Sequence, residues 1–91
     1  MSVYTLKDSP YSSHMRLLAL LDPAKLGRNL LDVGCGNGFV CRLLRDRGFT
    51  VTGVEHPQGY DPALTADLRI LPRDLEQGLG DVGGPYDVVL L

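Results

Sequence analysis

Apolar positions in this chain fall into short blocks, each bounded by glycine, proline or charged residues. Asn29 to Val33, Phe49 to Glu55 and Tyr86 to Leu91 read as strands, and the last is as apolar as a central strand buried on both faces. Leu68 to Leu71 reads as a shorter third strand, before the one at Tyr86. Between the first two runs, Val40, Leu43 and Leu44 recur at helical spacing. They predict a helix from about Gly36 or Asn37 to Arg47, ended by Gly48 as a C′ glycine. Met15, Leu17, Leu18 and Leu21 form another stripe, predicting an N-terminal helix. Tyr11-Ser12-Ser13 offers its cap and Asp22-Pro23 its stop. The linker from Ala24 to Arg28 leads into the first strand. Residues 1–10 read as polar and irregular. Pro62 to Asp67 allows at most a short helix, and Leu75 to Leu79 one helical turn. This alternation predicts an α/β fold with a parallel sheet and right-handed crossovers.

A length of 91 residues fits one small domain. The net charge is −2 and the nine Lys and Arg residues are dispersed, which argues against a nucleic-acid partner. No apolar run nears the ~20 residues of a membrane span, and no signal-peptide pattern opens the chain. Cys35 and Cys41 are six positions apart. Six helical residues rise ~9 Å, more than the ~7 Å that a disulfide tolerates between Cα atoms. Packing is the expected role of both cysteines, their spacing fits no metal site, and the setting they imply is reducing and cytoplasmic.

The candidate chemistry lies in Asp32-Val33-Gly34-Cys35-Gly36-Asn37-Gly38, at the end of the first strand. Three glycines in five residues allow a tight turn and close approach of a ligand to the backbone. A helix starting there would aim N–H groups and a positive dipole end at that ligand. Glu55, at the tip of the second strand, is placed to accept hydrogen bonds from two vicinal ribose hydroxyls. A dinucleotide turn has the spacing G-x-G-x-x-G. Here the spacing is G-x-G-x-G, and Phe39 stands where the third glycine would be. Asp32 would be a poor neighbour for pyrophosphate and a good one for a ligand bearing ammonium and sulfonium groups.

These residues resemble motif I of the class I S-adenosylmethionine-dependent methyltransferases. The resemblance extends over nearly the whole chain. It is closest to bacterial domains that stand alone or are joined to glycosyltransferases. Tyr11-Ser12-Ser13-His14, Gly53-Val54-Glu55, Asp74-Leu75-Glu76 and Tyr86-Asp87-Val88-Val89 carry the rest of it. It implies a Rossmann-like three-layer fold: a partial parallel sheet of about four strands, order 3-2-1-4, with an N-terminal helix. It also implies S-adenosyl-L-methionine as cofactor, held by Asp32, Gly34, Cys35, Gly36, Gly38, Glu55, His56, Asp74 and Leu75. Asp32 and the glycines would hold the methionine end, Glu55 the ribose, and Asp74 and Leu75 the adenine. Asp67-Leu68 is a second Asp-Leu pair that competes for the adenine role. His56 reads either as an adenine contact or as a solvated loop residue. His14 reads as a surface residue before a cofactor contact, and Asp87 as ordering the start of its strand. Arg42, Arg45 and Arg47 read as a solvated face that favours the helix dipole.

The expected reaction is methyl transfer to a small-molecule acceptor, with no catalytic residue assigned and no metal. The rivals are a non-catalytic cofactor-binding or fold-retaining module and an NAD-dependent oxidoreductase domain. A complete class I domain continues with further strands, so residues 1–91 are expected to be a truncated cofactor-binding domain. Its last strand would then be a bare edge prone to self-association.

Overall fold

The structure is a computed structural model that describes residues 1–5 and 11–91, with the side chains of the first helix described from Met15 onward. The elements are β1 (Ser2–Tyr4), α1 (Tyr11–Leu20), α2 (Pro23–Leu26), β2 (Asn29–Val33), α3 (Phe39–Asp46), β3 (Thr50–Glu55), β4 (Arg69–Pro72), a 3₁₀ turn (Leu75–Gln77) and β5 (Val88–Leu90). The sheet has five strands in the order β1-β5-β2-β3-β4, and every pairing is parallel. The expected 3-2-1-4 order is present in β4-β3-β2-β5.

The fifth strand corrects the reading of residues 1–10 as irregular. Ser2–Tyr4 pairs with β5, Ser2 facing Val88 and Tyr4 facing Leu90. The Ser2 N–H donates to the Asp87 carbonyl at 2.8 Å, and the Leu91 N–H to the Tyr4 carbonyl at 2.8 Å. β5 is therefore an interior strand rather than the bare edge expected of it. Residues 6–10 lie outside the described residues, as do the side chains of Tyr11, Ser12, Ser13 and His14.

The core forms where β2 and β5 meet α1 and α3. Leu18, Leu21, Leu30, Leu44, Phe49, Val88 and Leu90 make one buried cluster, with Leu17, Val40 and Leu43 packed against it. Full burial of a side chain such as Leu30 or Leu44 is worth about 1.5–3 kcal/mol. Met15, expected in the same stripe, is exposed. Asp22-Pro23 ends α1, but it also starts α2. Asp22 accepts from the Ala24 N–H at 2.9 Å while Pro23 takes the first turn, where its missing N–H costs nothing. The stretch expected to be a linker is therefore partly helical. Gly48 ends α3 at φ 104°, a conformation open to glycine. No helix forms between Pro62 and Asp67.

Asp87 orders the start of its strand. Its N–H donates to the Asn29 carbonyl at 2.7 Å, and its carboxylate accepts from the Asn29 N–H at 3.1 Å. The side chain fills the space that Gly27 leaves open.

Candidate cofactor site

The parallel strands bring their C-terminal ends to one side of the sheet, the side where open α/β folds bind ligands. Three features meet there: the turn after β2, the tip of β3 and the segment after β4.

The turn needs its glycines. Gly34, Gly36 and Gly38 have φ of 75°, 55° and 83°, all in the left-handed region. They differ in surroundings. A Cβ on Gly38 would collide with Leu68, whereas a Cβ on Gly36 would meet nothing within 4 Å. Open space above Gly36 is where a ligand could approach the backbone. α3 begins at Phe39, later than expected, with Gly38 as a cap that supplies no side-chain hydrogen bond.

The amides of this turn are largely spent inside the protein. Gly34 and Cys35 both donate to the Val54 carbonyl, at 2.8 and 3.2 Å. Gly38 donates to the Cys35 carbonyl at 3.0 Å. The Gly36 N–H donates to Glu55 Oε2 at 2.8 Å. The expectation of unpaired N–H groups aimed at a ligand therefore fails for these four residues. The site's polar specificity falls instead to carboxylates.

Asp32 is fully buried within β2, beneath the turn. Its Oδ2 accepts from the Cys41 thiol at 3.4 Å. Cys35 is buried too. Its side chain faces Gly53 and its thiol donates to the Gly36 carbonyl at 3.6 Å. Both side chains are buried and packed within the protein. Hydrogen bonding to Cys35, burial and the charge of Asp32 hold the Cys41 thiol far above the ordinary thiol range. Both thiols are free, and each fills core space as expected.

Glu55 is half-buried at the end of β3. Besides the Gly36 amide it accepts from the His56 N–H, through Oε1 at 2.9 Å. Next to it opens a cavity of about 300 Å³ lined by His56, Asp74, Leu75 and Glu76. The Asp74 carboxylate caps the 3₁₀ turn, accepting from the Glu76 N–H at 3.0 Å. His56 is exposed, and its Nδ1 accepts from the Gln58 N–H at 3.1 Å.

Asp67 lies elsewhere. It pairs with Arg42 at 3.0 Å and Arg45 at 2.9 Å and does not line the cavity. Of the two Asp-Leu pairs, only Asp74-Leu75 lines the cavity beside Glu55. The three arginines are correspondingly more than a solvated face. Arg42 and Arg45 hold Asp67, while Arg47 donates to the carbonyls of Ala19 and Leu21 at the end of α1.

Sequence reasoning passed over Arg73 and Asn37. The Arg73 guanidinium donates to the carbonyls of Pro72, Leu79 and Asp81, shaping the chain that follows the cavity. Asn37 accepts from the Asp61 N–H at 2.8 Å. The Asn37 role has no local signal, because Asp61 is brought to it by the tertiary fold, whereas the Arg73 partners all lie within eight residues of it along the chain.

A glycine turn over a parallel sheet, a strand-tip carboxylate and an adjoining cavity define a Rossmann-like domain suited to a nucleoside-bearing ligand. Residues 9–91 match the family model described as "Methyltransferase domain". The chain belongs to this family, as a class I S-adenosylmethionine-dependent methyltransferase domain. Among curated proteins it is similar to the ubiquinone biosynthesis O-methyltransferase of Salmonella paratyphi A, 40% identical over 50 residues, covering 55% of this chain and 20% of the relative. The enzyme of the same name from an Escherichia coli strain is 33% identical over 72 residues, covering 69% and 29%. That of a Caulobacter strain is 37% identical over 71 residues, covering 70% and 28%. The chain thus spans less than a third of the length of these relatives. Among the described residues no helix is long and apolar enough to cross a membrane, and no group of three His, Cys, Asp or Glu could hold a metal.

Proposed function

We propose that this chain binds S-adenosyl-L-methionine and forms the cofactor side of a methyl transfer to a small-molecule acceptor. The observation that carries the reading is the position of Glu55. Its carboxylate accepts from the amide of Gly36, above which the space is open, and from the amide of His56, which lines the cavity with Asp74. A ribose there would meet an acceptor for its two hydroxyls, with the base entering the cavity and the amino-acid end passing over the glycine turn.

The residues fit such a group. Glu55 binds the ribose hydroxyls. Asp74, which spends one oxygen on Glu76, supplies an acceptor for the exocyclic amine of adenine. Leu75 and His56 flank the base. Gly36 leaves room for the ligand chain. Asp32 acts at one remove: its buried charge favours a cationic ligand over the turn and its hydrogen bond with Cys41 fixes the start of α3. When bound, the cofactor supplies an electrophilic methyl on sulfur. The protein's part is to orient it, since alignment of the reacting atoms accounts for much of the barrier lowering. The relatives are named for O-methyl transfer, so oxygen is the acceptor atom to test first. Two buried free thiols support a cytoplasmic protein, and the net charge of −2 with dispersed Lys and Arg residues supports action on a small molecule rather than on nucleic acid.

Competitive calorimetry tests the reading. S-adenosylhomocysteine should bind and NAD should not displace it. Glu55→Ala should weaken S-adenosylhomocysteine at least about tenfold, from loss of charge-assisted hydrogen bonds, with circular dichroism preserved. Tighter binding of NAD, or an unchanged affinity in the variant, would overturn the assignment.

A further inference from the structure

We propose that Asn37 and Gly59 are positioning residues for the Glu55 carboxylate. The proposal rests on the reading of Glu55 as the ribose acceptor and explains how that acceptor is held ready.

A glutamate at a strand tip has three rotatable bonds and would ordinarily sample many positions. Here it is confined on three sides. Gly36 donates to Oε2 and His56 to Oε1. On the third side the backbone of Gly59 lies against the carboxylate. A Cβ at Gly59 would stand 2.6 Å from Oε1 and 2.7 Å from both Cδ and Cγ of Glu55. Gly59 does not have a left-handed φ. Space, not backbone conformation, is what excludes a larger residue there.

Something must keep Gly59 in place, because the loop from His56 to Leu68 contains no helix or strand. One contact is local: the Gly59 N–H donates to the His56 carbonyl at 2.7 Å. The other crosses to the glycine turn, where Asn37 Oδ1 accepts from the Asp61 N–H at 2.8 Å. Asn37 is itself anchored, since Arg42 Nη1 donates to its carbonyl at 3.0 Å. The residue between the last two glycines of the turn thus ties the turn to the loop that backs the carboxylate. A carboxylate fixed before binding loses less rotamer freedom when the ribose arrives.

The test compares adenosine with 2′,3′-dideoxyadenosine, which lacks the hydroxyls, by calorimetry on the full chain and its variants. The ratio of the two dissociation constants reports the ribose contact alone. The wild-type ratio should be about tenfold or more, and Glu55→Ala should bring it close to one. Asn37→Ala and Gly59→Ala should each lower it by about threefold or more, with binding of the dideoxy analogue unchanged. Asn37→Asp keeps an acceptor oxygen and should keep the ratio. A purely structural role would weaken both ligands alike and leave the ratio at its wild-type value, which would overturn the proposal. An unchanged ratio in Glu55→Ala would instead overturn the ribose reading itself. Asn37→Ala and Gly59→Ala act at separate residues, so a folding defect in one leaves the other as a test.

Discussion

The Cys35 thiol occupies the space that Gly53 leaves in β3. A Cβ on Gly53 would stand 2.6 Å from Sγ and 3.3 Å from the Cβ of Cys35. Gly53 pairs with Asp32 across the sheet and is buried, so strand and turn pack here without slack. The contact gives a residue inside the glycine turn a structural function: it seats the turn on the neighbouring strand.

Gly53→Ala should therefore destabilise the fold by about 1–3 kcal/mol, the usual cost of overpacking. Cys35→Ala removes the sulfur and should recover part of that loss in the double variant. Chemical denaturation of the four proteins measures the coupling. Strictly additive effects would show that the two residues do not share this space.

Ser2–Tyr4 covers the outer edge of β5 with only three residues. Val88 and Leu90 are fully buried, so β5 has the composition of an interior strand. Removing residues 1–5 should bare its hydrogen-bonding groups and promote self-association, read by sedimentation as a concentration-dependent increase in mass. A monomer at all concentrations would show that the edge is blocked by other means.

The parts of this fold that were legible in the sequence are those set by local pattern. The segment at 29–33 is β2 to the residue, because Leu30, Leu31 and Val33 stand directly before the glycine turn that ends the strand. Gly34, Gly36 and Gly38 announced the turn, because a left-handed backbone demands them. β1 was missed because three residues carry no readable period, and its pairing partner lies at the other end of the chain. The fate of the turn amides was missed for a related reason. Val54, which takes two of them, is placed by strand pairing rather than by proximity in sequence. The choice between Asp67 and Asp74 needed the tertiary structure, since both present the same Asp-Leu dipeptide. The arginines of α3 engage Asp67, while Asp74 lines the cavity with His56.

Arg47 lies just past the end of α3 and closes the end of α1. Its Nε and Nη2 donate to the Leu21 carbonyl at 3.2 and 2.7 Å, and Nη2 also to the Ala19 carbonyl at 3.0 Å. These carbonyls fall where a helix leaves acceptors unsatisfied. Arg47→Ala should cost about 1–2 kcal/mol of stability. Arg47→Lys should recover less than half of it, because an ammonium cannot reproduce the planar fork. Ligand affinity should not change, since the contact is remote from Glu55. Full recovery by lysine in a denaturation series would reduce the contact to simple charge.

Asp67 joins α3 to the segment before β4 through two arginines, and its titration follows from that arrangement. Hydrogen bonds from Arg42 and then Arg45 hold its carboxyl well below the usual carboxylate range. A carboxylate with a depressed folded-state pKa stabilises the fold above its unfolded value, near ~4, and loses that contribution as pH falls toward the folded value. Asp67→Asn should therefore lower the melting temperature at about pH 7 and have a smaller effect below about pH 4. The groups are exposed, so the difference should be modest and should shrink in ~1 M salt. Melting curves of wild type and variant at both pH values, with and without salt, provide the measurement. A difference that stays constant across pH and salt would mean that the carboxylate acts by shape and neutral hydrogen bonding rather than by charge.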